Sequence, residues 1–362
     1  MFRSVILVVF FLFPIVHFSQ DFSALWNGHF SYNEIKDVAQ GDNIIYAAAD
    51  NAIFSLDTQT NLIEEITTVN GLSGESISTI YYSDTYQLLV VGYENGLIEI
   101  VFDNGDNILT VVDIIDKPTI SPSDKRINHI NPYQNLVYIS TNYGISVFDL
   151  ERLEFGDTYF IGNGGSQIPI TQTAIFEDYI YASCLAGNGI RKAPISSQNL
   201  IDFQSWEIVS SGNWQSIEAN ENNLYAINNN RKIYQVVGGN SISELFTYST
   251  LPLDFRSVNT NLIVSTINQV YVYDTNFNLK AQIPVTLELD TQYASATVDE
   301  ENIYIGTKDF GVLKVSLTNT TVFEEVRPEG PLFNTPFSIE AEPNGVWVTY
   351  GGYDIFYIYS FL

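Results

Sequence analysis

The chain is poor in the residues from which most catalytic and metal sites are built. It has one cysteine, Cys184, and three histidines, His17, His29 and His129. A single cysteine excludes an intrachain disulfide, and a zinc site ordinarily takes three or four His, Cys or carboxylate ligands. No H-x-x-x-H, C-x-x-C, G-x-S-x-G, P-loop or G-x-G-x-x-G motif is present. We therefore expect no enzyme activity, no catalytic residue, no metal site and no cofactor, although sequence alone does not exclude a Ser-His-Asp triad.

Positive charge is also scarce. The chain has 15 Lys and Arg residues against 42 Asp and Glu residues, a formal net charge of -27. Nucleic-acid binding needs basic side chains to neutralise phosphates, so we expect no nucleic-acid partner. The same balance argues against adsorption to an anionic membrane surface. We interpret the acidity mainly as a source of solubility, with cation binding as the alternative.

Residues 1–19 have the layout of a secretory signal peptide. Arg3 supplies a positive start, and an almost unbroken apolar run extends from Val5 to Val16 before the polar residues Gln20 and Asp21. The run is shorter than the roughly 20 residues that a membrane span needs. We predict that the protein is exported across the inner membrane and that the mature chain has no transmembrane span.

A repeated β unit occupies most of the remaining chain. An apolar strand ending in small residues is followed by a turn and a second strand, and these second strands begin at intervals of 37 to 48 residues. Their first residues are Ile53, Leu97, Ile145, Ile190, Ile233, Val270 and Val312. A period near 43 with about four short strands per unit is typical of propellers. The fold predicted is all-β: a seven-bladed β-propeller of four-stranded antiparallel blades. The inner strands crowd toward the channel, so we expect their small residues to fit between neighbouring blades.

We assign residues 20–335 to this propeller. The predicted blades span 35–75, 76–125, 126–167, 168–212, 213–252, 253–290 and 291–330. Residues 22–32 precede the first blade, where they could add an edge strand that closes the ring. Residues 336–362 form an incomplete extra blade, a partial eighth repeat that either closes the ring or begins a second propeller that is missing.

The stretch from Ile66 to Ile100 resembles the "two-component regulator propeller" repeat, with its GLS turn, S-I-x-x-I strand and later G-L pair. The whole chain is similar to the N-terminal part of the PorZ family. That resemblance rests on Asp21 to Trp26, on Val111 to Arg126 and on Arg152 to Ser166.

The resemblance implies a function in the type IX secretion system of Bacteroidota. Members of the family have two consecutive propellers and a C-terminal β-sandwich, of which this chain carries the first propeller. It implies a non-enzymatic envelope component that binds partner proteins, including the sortase complex, and anionic lipopolysaccharide. The expected location is the cell surface or outer membrane, with the periplasm as alternative. The alternative function is an extracellular glycan-sensing propeller of a two-component-type receptor.

Several other patterns have structural interpretations that we prefer. Asp103 to Asn107 has oxygen-rich spacing, but it lacks the distal Glu of an EF-hand loop and is interpreted as a hairpin turn. Gly162 to Gly165 is interpreted as an inter-blade loop rather than a phosphate loop. Cys184 is expected to be a buried thiol, and His129 a structural or surface residue. The sequence identifies no ligand-binding residue.

Paired carboxylates and tryptophans are similarly interpreted as structural. The acidic pairs are expected in solvated turns and edge strands: Glu64-Glu65, Glu300-Glu301 and Glu324-Glu325. Aromatic residues within strands are usually core residues, so the tryptophans are expected in the core: Trp26, Trp206, Trp214 and Trp347.

Overall fold

The computed structural model describes residues 28–103, 107–343, 345–353 and 359–360. The predicted signal peptide lies outside these residues, and so does Trp26. Seven four-stranded antiparallel sheets follow one another along the chain, which confirms the predicted seven-bladed propeller. Six of these sheets lie within their predicted blade ranges. The sixth along the chain begins at Pro252, one residue before its predicted range. No helix in the described part of the chain is long and apolar enough to cross a membrane.

Each blade uses four consecutive strands in sequence order. Blade 1 has β1 (Asp37–Gly41), β2 (Ile44–Ala48), β3 (Ile53–Asp57) and β4 (Ile63–Ile66). Blade 2 has β5 (Ile77–Ser83), β6 (Leu88–Tyr93), β7 (Ile98–Phe102) and β8 (Ile108–Val111). Blade 3 has β9 (Ile127–Tyr133), β10 (Leu136–Thr141), β11 (Gly144–Asp149) and β12 (Glu154–Tyr159). Blade 4 has β13 (Ile170–Phe176), β14 (Tyr179–Cys184), β15 (Gly189–Pro194) and β16 (Glu207–Ser210).

The remaining blades follow the same order. Blade 5 has β17 (Trp214–Ala219), β18 (Leu224–Asn228), β19 (Lys232–Val237) and β20 (Ser241–Thr247). Blade 6 has β21 (Pro252–Val258), β22 (Asn261–Thr266), β23 (Gln269–Asp274) and β24 (Leu279–Pro284). Blade 7 has β25 (Tyr293–Val298), β26 (Asn302–Thr307), β27 (Val312–Ser316) and β28 (Phe323–Val326). After them come the pairs β29 (Pro336–Glu342) with β30 (Gly345–Tyr350) and β31 (Gly352–Tyr353) with β32 (Tyr359–Ser360).

The first strand of each blade is the innermost one. Neighbouring first strands lie against each other around the ring, and β1 also packs on β25, so blade 7 meets blade 1 directly. An apolar cluster joins these two blades through Ile35 and Val38 on one side and Tyr304 and Val312 on the other. The ring is therefore closed by the same kind of apolar contact that joins its other blades.

Small residues on the second strands lie where the start of the next blade packs against them. A Cβ atom built on Gly92 would lie 2.7 Å from Cγ2 of Ile127, and one built on Gly306 would lie 2.8 Å from Cγ2 of Ile35. Crowding between neighbouring blades explains these glycines, as expected from the sequence.

A bulge recurs in the inner hairpin of blades 2 to 7. In blade 6, for example, Pro252 pairs with Thr266 but Asp254 pairs with Ser265, which leaves one extra residue on the first strand. The pair β29–β30 repeats this pattern, since Pro336 pairs with Tyr350 and Ser338 with Thr349. The hairpin thus has the geometry of an inner blade hairpin, as expected for a partial eighth repeat.

The segment before blade 1 does not form the expected edge strand in its described part, residues 28–32. It is instead held by hydrogen bonds to the chain after blade 7. The Ser31 amide donates to Oδ1 of Asn334 at 2.7 Å, and the Asn33 side-chain amide donates to the Leu332 carbonyl at 2.9 Å. The two ends of the propeller are therefore joined by segments without regular secondary structure. Their amide donors are satisfied by individual hydrogen bonds instead of by pairing between strands.

Candidate functional site

The central channel is the main concave site of the molecule. A cavity of about 400 Å³ is lined by inner strands of blades 1, 2, 3, 5, 6 and 7. A second cavity of about 990 Å³ shares Gln40, Val258 and Asn259 with it, so the two are continuous. Three of the lining residues were singled out from the sequence: His129 in the smaller cavity, and Glu300 and Glu301 in the larger one.

Arg256 on β21 is the centre of the channel network. Its Nη2 donates to Oδ1 of Asp37 at 2.6 Å and to Oδ1 of Asp254 at 2.8 Å, while Nε donates to Oδ2 of Asp254 at 2.8 Å. Its Nη1 donates to the Val38 carbonyl. Burial acts to lower the pKa of Arg256, but the carboxylates of Asp254 and Asp37 outweigh it and raise that pKa. The guanidinium therefore links blade 6 to blade 1 across blade 7.

Asp37 extends this network to blade 2. Its Oδ2 accepts hydrogen bonds from Oγ1 of Thr79 at 2.9 Å and from the Ile80 amide at 3.0 Å. Both oxygens of this carboxylate are thus engaged, one by Arg256 and one by β5. The arrangement binds three blades together at the channel wall.

Glu218 on β17 is the second carboxyl group of interest. Its Oε2 accepts a hydrogen bond at 2.6 Å from Nε2 of Gln172, which also donates to the Phe255 carbonyl at 3.0 Å. Burial raises the pKa of Glu218 to about 8, although the Ala219 amide and Arg256 act in the opposite direction. The carboxyl is thus mostly protonated at neutral pH, and it lines a channel that water can enter.

His129 on β9 faces the same channel. Burial and, to a smaller extent, the charge of Arg256 lower its pKa to about 4, while Asp37 acts to raise it. Its Nδ1 is buried without a hydrogen-bond partner in the described part of the chain. The imidazole is therefore neutral at physiological pH. His29, by contrast, is exposed on the surface.

The wider cavity opens among acidic turns. It is lined by the β1–β2 turn with Asp42, the β25–β26 turn with Glu300 and Glu301, and by Asp84, with Lys280 as the basic residue among them. In the part of the chain that the structure describes, no three His, Cys, Asp or Glu side chains are grouped so as to hold a metal ion. This mouth is an acidic entrance to a polar channel.

The other acidic pairs lie on outer strands, as expected. Glu64 and Glu65 are on β4, where Oε2 of Glu65 accepts a hydrogen bond from the Tyr32 hydroxyl at 2.6 Å. Glu324 and Glu325 are on β28, and Oε2 of Glu324 lies 3.7 Å from Nζ of Lys314.

The GLS turn has a structural partner that the sequence analysis missed. The carboxylate of Glu99 on β7 is buried, accepts the Ser73 amide at 3.1 Å and accepts the Tyr93 hydroxyl. Leu72 of the same turn is buried. Glu99 therefore holds the turn of the propeller repeat in place.

The remaining expectations have mixed outcomes. Cys184 is buried, and burial raises its thiol pKa to about 12, so it is an unreactive core residue. Trp206 and Trp214 are core residues, but the expectation for Trp347 is wrong, since it is 66% exposed. It lies on the hairpin β29–β30, which pairs only with itself among the described strands. Residues 104–106 of the expected Asp103 to Asn107 turn lie outside the described residues.

The channel residues carried a signal that the sequence analysis did not use. Polar side chains recur on the first strands at intervals of 38 to 50 residues: Asp37, Thr79, His129, Gln172, Glu218, Arg256 and Thr297.

Comparisons with known proteins agree with this architecture. Residues 45–207 match the family model of the type IX secretion system PorZ N-terminal β-propeller domain. A search of curated proteins finds no match. The structure is similar to that of PorZ from Porphyromonas gingivalis, an essential surface component of its type IX secretion system, with 17% identity, 91% of this chain covered and a TM-score of 0.76. The chain spans 43% of that PorZ chain.

Two other solved structures are similar to this one in fold alone. The computationally designed Ika8 protein has 13% identity and a TM-score of 0.52, over 78% of this chain and 96% of its own. Virginiamycin B lyase from Staphylococcus aureus has 12% identity and a TM-score of 0.59, over 77% of this chain and 93% of its own. Together with the family match, the architecture confirms the resemblance predicted from the sequence: this chain forms a β-propeller similar to the N-terminal propeller of PorZ.

Proposed function

We propose that the chain is a non-enzymatic component of the type IX secretion system that acts in the cell envelope, at the surface of the cell. The observation that carries this proposal is the family match over residues 45–207, joined by structural similarity to PorZ over 91% of the chain. The proposed role is to bind partner proteins, with the sortase complex as the partner and anionic lipopolysaccharide as the ligand.

The channel chemistry supports binding rather than catalysis. Asp37 and Asp254 hold Arg256 between them, so their carboxylates are occupied by an ion pair. Glu218 accepts hydrogen bonds from Gln172 and its own neighbour Ala219. These carboxyl groups bond to Arg256, to Gln172 and to a backbone amide, and they brace the ring, which is a structural role.

Exposed apolar side chains support the binding of partner proteins. All seven residues of β20 are exposed, and they include Ile242, Leu245 and Phe246. Exposed apolar groups on an outer strand are typical of protein–protein contacts.

Deleting the gene in the source bacterium tests this proposal. We expect cargo of the type IX system to accumulate unprocessed in the cells, and secretion to return when the full-length protein is supplied. Complementation with Phe246→Ser should restore secretion poorly, while Leu62→Ser, at an exposed position of blade 1, should restore it fully. Normal cargo secretion by the deletion strain would refute the proposal.

A further inference from the structure

Arg191 is a cation inside an apolar interface. It lies on β15 and is 3% exposed. Its neighbour Ile190 packs in the cluster between blades 4 and 5, whereas Ala193 packs in the cluster between blades 3 and 4. Because side chains alternate along a strand, Arg191 shares the face of Ala193. Its guanidinium therefore points into the interface between blades 3 and 4.

The charge of Arg191 has no counter-charge in the described part of the chain. It takes part in none of the ion pairs there, and its Nε is buried without a hydrogen-bond partner. Its one hydrogen bond runs from Nη2 to Oδ1 of Asn163 at 3.0 Å. Nearby Cys184 is no counter-ion, since burial keeps its thiol protonated with a pKa of about 12. A buried charge without a partner is strongly unfavourable.

The next residue on the strand makes the contrast clear. Lys192 is also buried, but its Nζ lies 3.1 Å from Oε1 of Glu207 and 4.5 Å from the ring centre of Tyr179. It therefore has both a carboxylate and an aromatic face. Arg191 has a single neutral amide.

That amide belongs to an exposed glycine-rich loop, residues 162–166. The loop is closed by a hydrogen bond from the Gly162 amide to the Ser166 carbonyl at 3.1 Å. Gly164 and Gly165 have φ angles of +70° and +74°, and a Cβ on Gly164 would meet nothing within 4 Å. The Gly165 amide donates to the Gly162 carbonyl at 2.9 Å. The loop is therefore open to solvent at Gly164, next to the residue whose amide covers Arg191.

We propose that Arg191 and the loop 162–166 form a binding site for a phosphate-type oxyanion, which takes the place of the Asn163 amide on the guanidinium. Arginine binds such oxyanions through two parallel N–H donors. The overall negative charge of the protein does not prevent this, because exposed charges beyond about 8 Å are screened at physiological ionic strength. The site is inferred from these contacts alone and does not depend on the proposed role in secretion. The phosphate group is either free in solution or carried by a lipid headgroup.

Titrating the purified full chain with inorganic phosphate at constant ionic strength tests the site. We expect the thermal midpoint to rise with phosphate but not with chloride, since a ligand that binds the native state stabilises it. In Arg191→Gln the affinity should fall at least about tenfold, because a charge-assisted hydrogen bond is lost. Arg231→Gln is the matched control, since Arg231 is exposed and donates to the Ser249 carbonyl at 2.5 Å. An equal response to phosphate in Arg191→Gln would overturn the proposal.

Two further measurements separate binding from folding. In phosphate-free buffer, Arg191→Gln should unfold at or above the wild-type midpoint, because the variant removes a buried charge that lacks a partner. A clearly lower midpoint would overturn the proposal, since it would make the guanidinium a structural group. Asn163→Ala removes the competing amide and should bind phosphate at least as tightly as the wild type.

Vesicle binding identifies the source of the phosphate. Phosphatidylcholine vesicles carrying lipid A, with or without its phosphates, are sedimented with wild type and with Arg191→Gln. Arg191-dependent binding to the phosphorylated vesicles alone indicates a lipid headgroup as ligand. Stabilisation by soluble phosphate without vesicle binding indicates free phosphate. Absence of any Arg191-dependent response to either source would overturn the proposal.

Discussion

Replacing Arg256 with methionine should destabilise the propeller by about 3 kcal/mol. The guanidinium donates three hydrogen bonds of 2.6 to 2.8 Å to Asp37 and Asp254, and a fourth to the Val38 carbonyl. Its removal leaves two carboxylates unpaired, with side chains that are 9% and 15% exposed. Breaking a buried ion pair typically costs about 3–5 kcal/mol. Water in the channel can solvate the carboxylates partly, so we expect the lower end.

Urea unfolding followed by fluorescence measures this loss. With a denaturant dependence of about 3 kcal/mol per molar, the midpoint should fall by about 1 M. Adding Asp37→Asn and Asp254→Asn to Arg256→Met should recover at least half of the stability, because no unpaired charge remains. Arg231→Met, at an exposed site, should change stability by less than about 0.5 kcal/mol. A loss below about 1 kcal/mol for Arg256→Met would refute the view that this network braces the ring.

Three further substitutions have defined outcomes. Gly306→Ala should destabilise by about 1–3 kcal/mol, because its Cβ would meet Ile35 at the blade 7–blade 1 contact. The free energy of unfolding of the wild type should fall as the pH rises from about 4.5 to about 8, because Glu218 loses its proton in the folded state only near the upper value. Glu218→Gln should not show this fall, which amounts to about 1–3 kcal/mol by pH 9. Glu99→Gln should cost about 1–3 kcal/mol, because the Ser73 amide and the Tyr93 hydroxyl lose a charged acceptor.

Each of these substitutions has a control measured by the same unfolding assay. Gly345→Ala introduces a Cβ that meets nothing within 4 Å, so a loss equal to that of Gly306→Ala would contradict the packing argument. The sign for Glu218 follows from its raised pKa. Between these two pKa values the folded state keeps a proton on Glu218 that the unfolded state has lost. The stability contributed by this proton is complete below the unfolded pKa of about 4.5 and is lost as the pH rises through the folded pKa of about 8. An unchanged pH profile in Glu218→Gln would contradict this.

The control for Glu99→Gln is Glu64→Gln, on the outer strand β4, which should change the free energy of unfolding little.

The blade count was predictable from sequence because it depends on local signals. Each blade repeats an apolar strand, a turn and a second strand, and strand periodicity and turn residues act over a few positions. The start of blade 6 at Pro252 differs by one residue from the expectation. This difference in the start of the blade is small because the turn residues that precede the strand can be identified from a few neighbouring positions in the sequence.

The channel was not predictable in the same way, because its contacts join residues far apart in the chain. Asp37 and Arg256 are separated by 219 positions, and Gln172 reaches the Phe255 carbonyl across 83. Their pairing follows from ring closure rather than from any local pattern. The exposure of Trp347 was missed for a related reason, since aromatic residues in strands are buried only where another blade covers them.

The location and partners of the protein in intact cells test the central claim most directly. A tagged full-length copy would be crosslinked in the source bacterium, purified from the envelope and analysed by mass spectrometry. A PorZ-like secretion component should be reached at the cell surface by an external label and should be recovered with the sortase of the type IX system. Recovery with a membrane-spanning kinase, together with a transcriptional response to glycans, would contradict the account and favour a sensory propeller.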